Sequence, residues 1–295
     1  MALQTLESEQ PRPGRGQRAS ELLRTVASSG GGRLAVAVLG LYLLTALVAL
    51  ALPKEASLGI DTDQILQGPT REHLFGTDQL GRDQLARVVE GALTSFTIIA
   101  PATVGALVVG SLLGLLAGYL GGWLDNLVMR ITDVFFAFPP VLLALTIVAG
   151  MGPGQLQLVV AIGIVYSPMF VRTARAPTLQ LREREFVSAS VLAGARPLWI
   201  LRKHILPNVI PILIIQATLT LGWALLTEAS LSFLGLGVQP PASDWGAMLN
   251  EGRKFLSLNP WLAVFPGAAV VVVVLALNLL GDALRESADP RLKRS

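Results

Sequence analysis

Six stretches of this chain are apolar over most of the length that a lipid bilayer demands, and that leaves few folds open to it. They occupy residues 34–52, 96–120, 134–149, 156–171, 205–226 and 261–280. A helix needs about 20 residues to cross the hydrocarbon core, so the third and fourth stretches must extend into flanking polar turns or sit inside a bundle. Only helices and closed barrels pair every backbone N–H and C=O in lipid. Continuous apolar runs without strand-like alternation select helices. Charged residues make up 15% of the chain, against about 25% in a soluble domain, so the excess apolar content is not a large soluble core. The expected fold is an all-α membrane protein of about six transmembrane helices.

Several chemistries are excluded by what is missing. There is no cysteine, hence no disulfide, thiolate metal site or thiol nucleophile. None of the four lysines follows a glycine, so no phosphate-binding GxxxxGK[ST] loop exists, and HExxH and GxSxG are absent. The two histidines, His73 and His204, fall on opposite sides of the expected membrane. No catalytic residue, cofactor-binding residue or metal ligand is assigned, and the chain is not expected to be an enzyme. The pI near 9.6 does not point to nucleic acid, because the basic residues flank the apolar spans and set topology. With the N-terminus inside, 17 Lys and Arg fall on inner segments and 6 on outer ones, which places both termini in the cytoplasm.

The chain divides into a flexible cytoplasmic tail over residues 1–33, a transmembrane domain over 34–284 and a short cytoplasmic tail over 285–295. The tail's Gly, Ser, Pro and Arg content argues against a core, and its length against a cleaved signal peptide. Residues 53–95 form an external segment, in which Asp83 is placed to cap a short interfacial helix carrying Leu85, Val88, Val89 and Leu93 on one face. Gly121 and Gly122 end the second span, and residues 123–133 are expected to turn, with Arg130 and Asp133 at helical pairing distance. Residues 228–261 hold Gly235, Gly237, Pro240, Pro241 and Gly246, which exclude a continuous helix, while Leu231, Phe233, Leu234 and Leu236 favour a packed external segment.

Residues 183–211, EREFVSASVLAGARPLWILRKHILPNVIP, form a polar inner segment between two spans. The pattern predicts two short helices broken at Gly194 and restarted at Pro197, a residue suited to a first helical turn. Val187, Val191 and Leu192 recur at helical spacing before the break, and Leu201, His204 and Ile205 after it. Intramembrane polar residues mark the candidates for a translocation path: Gln216, Thr218 and Thr220 on the fifth span and Asn278 on the sixth. Glu228 and Asp282 fall near opposite ends of those spans, where packing or capping is as good an explanation.

Four separate words occur in a single order: HLFGTDQLGRD at 73–83, GGWLDNLVMRITDVFFAFPP at 121–140, HILPN at 204–208 and EASLSFLGLGVQPPASDWG at 228–246. Together they make the chain resemble the dipeptide, oligopeptide and nickel class of ABC-importer permeases over about residues 74–292. The resemblance implies a type I ABC-importer permease bundle whose cytoplasmic coupling loop spans about 183–208. The matching loop residues are Val187, Ser188, Ala189, Ser190, Gly194, Ala195, His204 and Pro207. Where the family carries Glu-Ala-Ala this chain has Ser188, Ala189 and Ser190, so the family's carboxylate contact is lost.

By the same resemblance the partners are a second related permease, two cytoplasmic ABC ATPases and an extracytoplasmic solute-binding protein. The chain would be multi-pass in a bacterial or archaeal inner membrane, with the lipid bilayer as its surroundings. ATP and Mg would be used by the partners, with none bound here, and the solute would be peptide-like, a nickel chelate or glutathione. The competing class is a stand-alone secondary transporter or channel, which calls for inverted repeats and a midplane charge; the halves show no such repeat.

Overall fold

The computed structural model describes residues 29–51, 55–242 and 244–288. The expected tails lie outside these residues, except for 29–33, where α1 opens, and 285–288, the last turn of the final helix. The helices run in the order α1 (Gly30–Ala51), α2 (Glu55–Leu58), α3 (Gln84–Leu120), α4 (Gly122–Phe136), α5 (Pro140–Met151) and α6 (Gln155–Arg182). They continue with α7 (Glu185–Leu192), α8 (Pro197–Ile200), α9 (Leu206–Phe233), α10 (Trp245–Gly252) and α11 (Trp261–Ala288). Among the described residues there is no β-ladder, only an isolated bridge between Thr77 and Asp83. Five helical units are long and apolar enough to cross a membrane: α1, α3, α6, α8 through α9, and α11. The pair α4 and α5 makes a sixth span if counted as one, bent by 93°.

Three expectations need correction. The interfacial helix beginning after Asp83 is not separate: it continues without a break through the second span as the 37 residues of α3, about 55 Å long. Asp83 does cap it, accepting from the Ala86 N–H at 2.8 Å, and the helix runs on through Pro101 to Gly121. Residues 123–133 are helix rather than turn, because Gly121 (φ 67°) and Gly122 (φ 62°) complete the reversal in two positive-φ residues open to glycine. The third apolar stretch is not one helix. Pro139 and Pro140 supply no N–H, and the residue before each proline is pushed towards an extended backbone, so α4 ends and α5 restarts at a sharp angle.

The most extensive helix pair is α3 with α6. It depends on Gly110, Gly114 and Gly118, one per turn on α3, a small-residue stripe that lets backbones approach in membranes. A Cβ at Gly114 would lie 2.3 Å from the Val171 carbonyl oxygen and 2.9 Å from the Ala174 Cβ. At Gly110 it would lie 2.3 Å from the Ser167 carbonyl oxygen. Around this pair α1, α9 and α11 close the bundle.

At the end of the bundle away from Gly194 the segments around Asp78 and Glu251 form a packed cap. Asp78 accepts from Arg82 Nε and Arg87 Nη1, each at 2.6 Å, and Glu251 of α10 accepts from Arg87 at 2.9 Å. This neutral set of two acids and two arginines joins the first turn of α3 and the residues just before it to α10. Phe75 stacks on Phe265 with centroids 3.9 Å apart, and Trp245 Nε1 donates to the Val88 carbonyl at 2.9 Å. Helix α9 runs on to Phe233, so Glu228 lies within it and is wholly buried. Ser232 donates to Asp244 at 2.7 Å and lies 3.5 Å from Glu228, tying the cap to α9.

Candidate functional site: the inner helix pair and its lever

Helix α7 is eight residues long and buries only Val187, so its register is held by that side chain and by its ends. At its C-terminus the Gly194 N–H reaches the Val191 carbonyl at 2.9 Å and the Ala195 N–H reaches the Ser190 carbonyl at 3.0 Å. With Gly194 at φ 79° this is a glycine-closed helix end that satisfies two orphan carbonyls. Arg196 is extended, Pro197 starts α8, and the chain passes through a π-helical turn at Leu201–Ile205 into α9. The second helix of the pair is therefore not the separate piece expected but the first turns of the fifth span. Ile200, Leu201 and Ile205 fasten it to the core.

His204, in the π turn, sits between the two inner helices. Its ring is 5.0 Å from Trp199 and 5.7 Å from Phe186, and Nε2 is 3.4 Å from the Ser190 hydroxyl. Ser190 in turn donates to the Phe186 carbonyl at 2.8 Å. Ser190 thus adds a polar link between α7 and the root of α9. Pro207 lies at the start of α9, and Asn208 caps the His204 carbonyl at 2.6 Å.

The remaining surface of the pair is open. Ser188 and Ala189 are exposed, Ala195 is partly covered, and Val191 and Leu192 point outward rather than into the bundle as their spacing suggested. Leu192 is 88% exposed and Leu198 73%, with Trp199 beside them, an apolar crest around Gly194 too prominent for a free solvated loop. An open cleft beside it is walled by Tyr119, Leu120, Arg182, Val187 and Leu192, and Arg182 donates to the Tyr119 carbonyl at 3.0 Å.

The four translocation-path candidates do not form one cluster. Gln216 donates to Thr220 at 3.2 Å and accepts from Thr173 of α6 at 3.5 Å. Thr218 returns its hydroxyl to the Ile214 carbonyl at 3.0 Å. Asn278 is exposed on α11 beside Gly222, and its side chain makes no hydrogen bond among the described residues.

Two charged contacts escaped the sequence reading. Arg130 does not pair with Asp133; instead Arg172 Nη2 donates to Asp133 Oδ1 at 2.6 Å, and Arg175 grips Asp125 through Nε at 2.5 Å and Nη2 at 2.6 Å. Both pairs join α4 to α6. Asp125 and Asp133 eight residues apart on α4, opposite Arg172 and Arg175 on the next long helix, were the available signal. It could be used only by knowing which helices are neighbours.

Five helical units long and apolar enough to cross a membrane, six with the bent pair, define a multi-pass membrane protein with a helix pair around Gly194 rooted in one span. The family profile described as binding-protein-dependent transport system inner membrane component matches residues 110–294, and the chain belongs to that family as a permease subunit. It is 43% identical over 263 residues to the dipeptide transport system permease protein DppC of Alkalihalophilus pseudofirmus, covering 88% of this chain and 86% of that protein. It is 42% identical over 260 residues to the glutathione transport system permease protein GsiD of Pectobacterium atrosepticum, covering 86% of each. The fold is similar to that of the MetNI methionine ABC transporter in an inward-facing conformation. There the TM-score is 0.56 at 21% identity, over 70% of this chain and 98% of that one.

Proposed function

We propose that this permease carries a peptide-like solute, a dipeptide or glutathione, inward across the membrane by alternating access. An extracytoplasmic binding protein delivers the solute, a second related permease completes the path, and two ABC ATPases dock on the cytoplasmic side. ATP and Mg act on the ATPases and not on this chain, and both termini face the cytoplasm. The solute class is supported by the dipeptide and glutathione permeases among its relatives.

The observation that carries the coupling assignment is the apolar crest of Val191, Leu192, Leu198 and Trp199 held around Gly194, of which Leu198 and Trp199 lie on helix that runs through the π turn into α9. A push on Leu198 or Trp199 reaches the fifth span without passing through a loop. Nucleotide shifts such an equilibrium only by its differential affinity for the two states, and the crest is where that difference would enter. Proline fixes φ near −65° and cannot hold the +79° of Gly194, yet no neighbour lies within 4 Å of the position. Gly194→Pro therefore acts on the turn alone, and a bulky residue at exposed Ala189 acts on the docking face. In proteoliposomes holding the whole transporter, both should leave the chain inserted while ATP hydrolysis loses its link to dipeptide or glutathione uptake. Normal ATP-driven uptake by both variants would overturn the assignment, and uptake without ATP would favour a secondary transporter.

A further inference from the structure

Two features of the transmembrane bundle are ill suited to lipid, and they lie side by side. The first is the break between α4 and α5. Residues 136–140 are all exposed, and Pro139 and Pro140 give no N–H to the turn before them. Non-helical backbone at membrane depth is tolerated only against protein or a water-filled cavity. The second is the Asp133–Arg172 pair, one turn before the break, whose side chains remain 56% and 47% exposed despite their 2.6 Å contact. The companion pair Asp125–Arg175 is far better shielded, with side chains 15% and 28% exposed. Charges in a membrane bundle face its interior or an aqueous pathway.

The exposed pair also has unused capacity. Only Nη2 of Arg172 and Oδ1 of Asp133 are engaged, so the other two guanidinium nitrogens and Asp133 Oδ2 bond to nothing among the described residues. The guanidinium is fixed from behind by the Phe136 ring, 4.0 Å from its centroid. Next to it on α6, Thr173 leads through Gln216 to Thr220 on α9, a polar track running along the bundle from the same region.

We propose that the face bearing the α4–α5 break lines the translocation path, and that Asp133 and Arg172 form a two-charge bracket receiving the charged groups of the passing solute. A carboxylate would be met by the free guanidinium nitrogens and an ammonium by Asp133 Oδ2. A peptide carries both groups, so the inference rests on the peptide-like solute proposed above. An ion pair this exposed contributes little to stability, which leaves it free to exchange partners during transport.

The test is uptake of Ala-Ala, Ala-Glu and Ala-Lys by proteoliposomes containing the complete transporter. Arg172→Gln should slow Ala-Glu at least threefold more than Ala-Lys, and Asp133→Asn should do the reverse. A purely structural pair would slow all three peptides equally, and the exchanged pair Asp133→Arg with Arg172→Asp would restore them; that result overturns the bracket. A parent transporter that moves none of the peptides sinks both the solute assignment and this inference.

If the single variants fail to assemble, the cysteine-free sequence offers a second measurement. Phe138→Cys at the break should react with a charged, membrane-impermeant methanethiosulfonate and be slowed by transported dipeptide. Val108→Cys, on the exposed apolar surface of α3, should not react. Equal inertness of the two cysteines would show the break to be closed to water and refute the path assignment.

Discussion

Gly114 on α3 offers a sharp test of how the bundle is held. Alanine there would put a Cβ 2.3 Å from the Val171 carbonyl oxygen and 2.9 Å from the Ala174 Cβ, both on the helix packed against it. Neither obstacle is the end of a flexible side chain, so α3 and α6 must separate. Overpacking a tight interior costs about 1–3 kcal/mol, and a contact with backbone belongs at the upper end of that range. Gly105 on the same helix has nothing within 4 Å, so Gly105→Ala meets no obstacle and gains up to about 1 kcal/mol of helix propensity. The two substitutions are chemically identical and should differ by about 2–3 kcal/mol in opposite directions from the parent. For a domain of this size, about 2–4 °C per kcal/mol separates their midpoints by about 4–12 °C. The assay is heating of the tagged chain within its detergent-solubilised complex, followed by fluorescence-detected gel filtration. Midpoints within a degree of each other would refute the close approach of α3 and α6.

Three further outcomes are expected. Arg87→Ala leaves Asp78 buried with one fewer cation and should cost about 3–5 kcal/mol, the penalty for breaking a buried ion pair, read as a lost or strongly lowered melting transition. His204→Ala removes the ring between Phe186 and Trp199 and should lower solute moved per ATP hydrolysed severalfold, whereas Ser190→Ala, losing a bond within α7 and one long contact to His204, should lower it less. The reverse order would mean that the hydroxyl and not the ring joins the inner helices. Burial pushes the Asp244 carboxyl above its usual range, so the folded chain holds a proton that the unfolded chain releases. Stability should then fall as pH rises from the ordinary aspartate range to the raised value, and Asp244→Asn, which keeps an oxygen for the Ala247 N–H, should flatten that slope.

Much of this architecture is written in local signals. Gly194 and Pro197 mark the break and restart of the inner pair because each acts on its own backbone, and Asp83 marks the start of α3 for the same reason. What the sequence conceals depends on neighbours far along the chain. The spacing of Arg130 and Asp133 favours a local pair, but Asp133 is taken by Arg172, 39 residues away, and Asp125 by Arg175, 50 residues away. Glu228 looks like the end of a span because charge normally marks one. Its burial becomes intelligible only once Ser95 of α3 and Ser232 are seen beside it. The outward turn of Val191 and Leu192 is hidden for a different reason: apolar spacing names a face, not the protein that covers it.

The most direct measurement is site-specific crosslinking in the assembled transporter, in which an introduced cysteine is the one cysteine of this chain. Leu192→Cys at the tip of the inner crest, carrying a short photoactivatable maleimide, should capture an ATPase subunit, identified by mass spectrometry of the adduct. Leu258→Cys, also exposed but near the cap that holds Asp78 and Glu251, should not capture an ATPase. Capture of an ATPase from Leu258 but not from Leu192, or from neither position in a transport-competent complex, would contradict the assignment of the inner helix pair as the site through which ATP drives this permease.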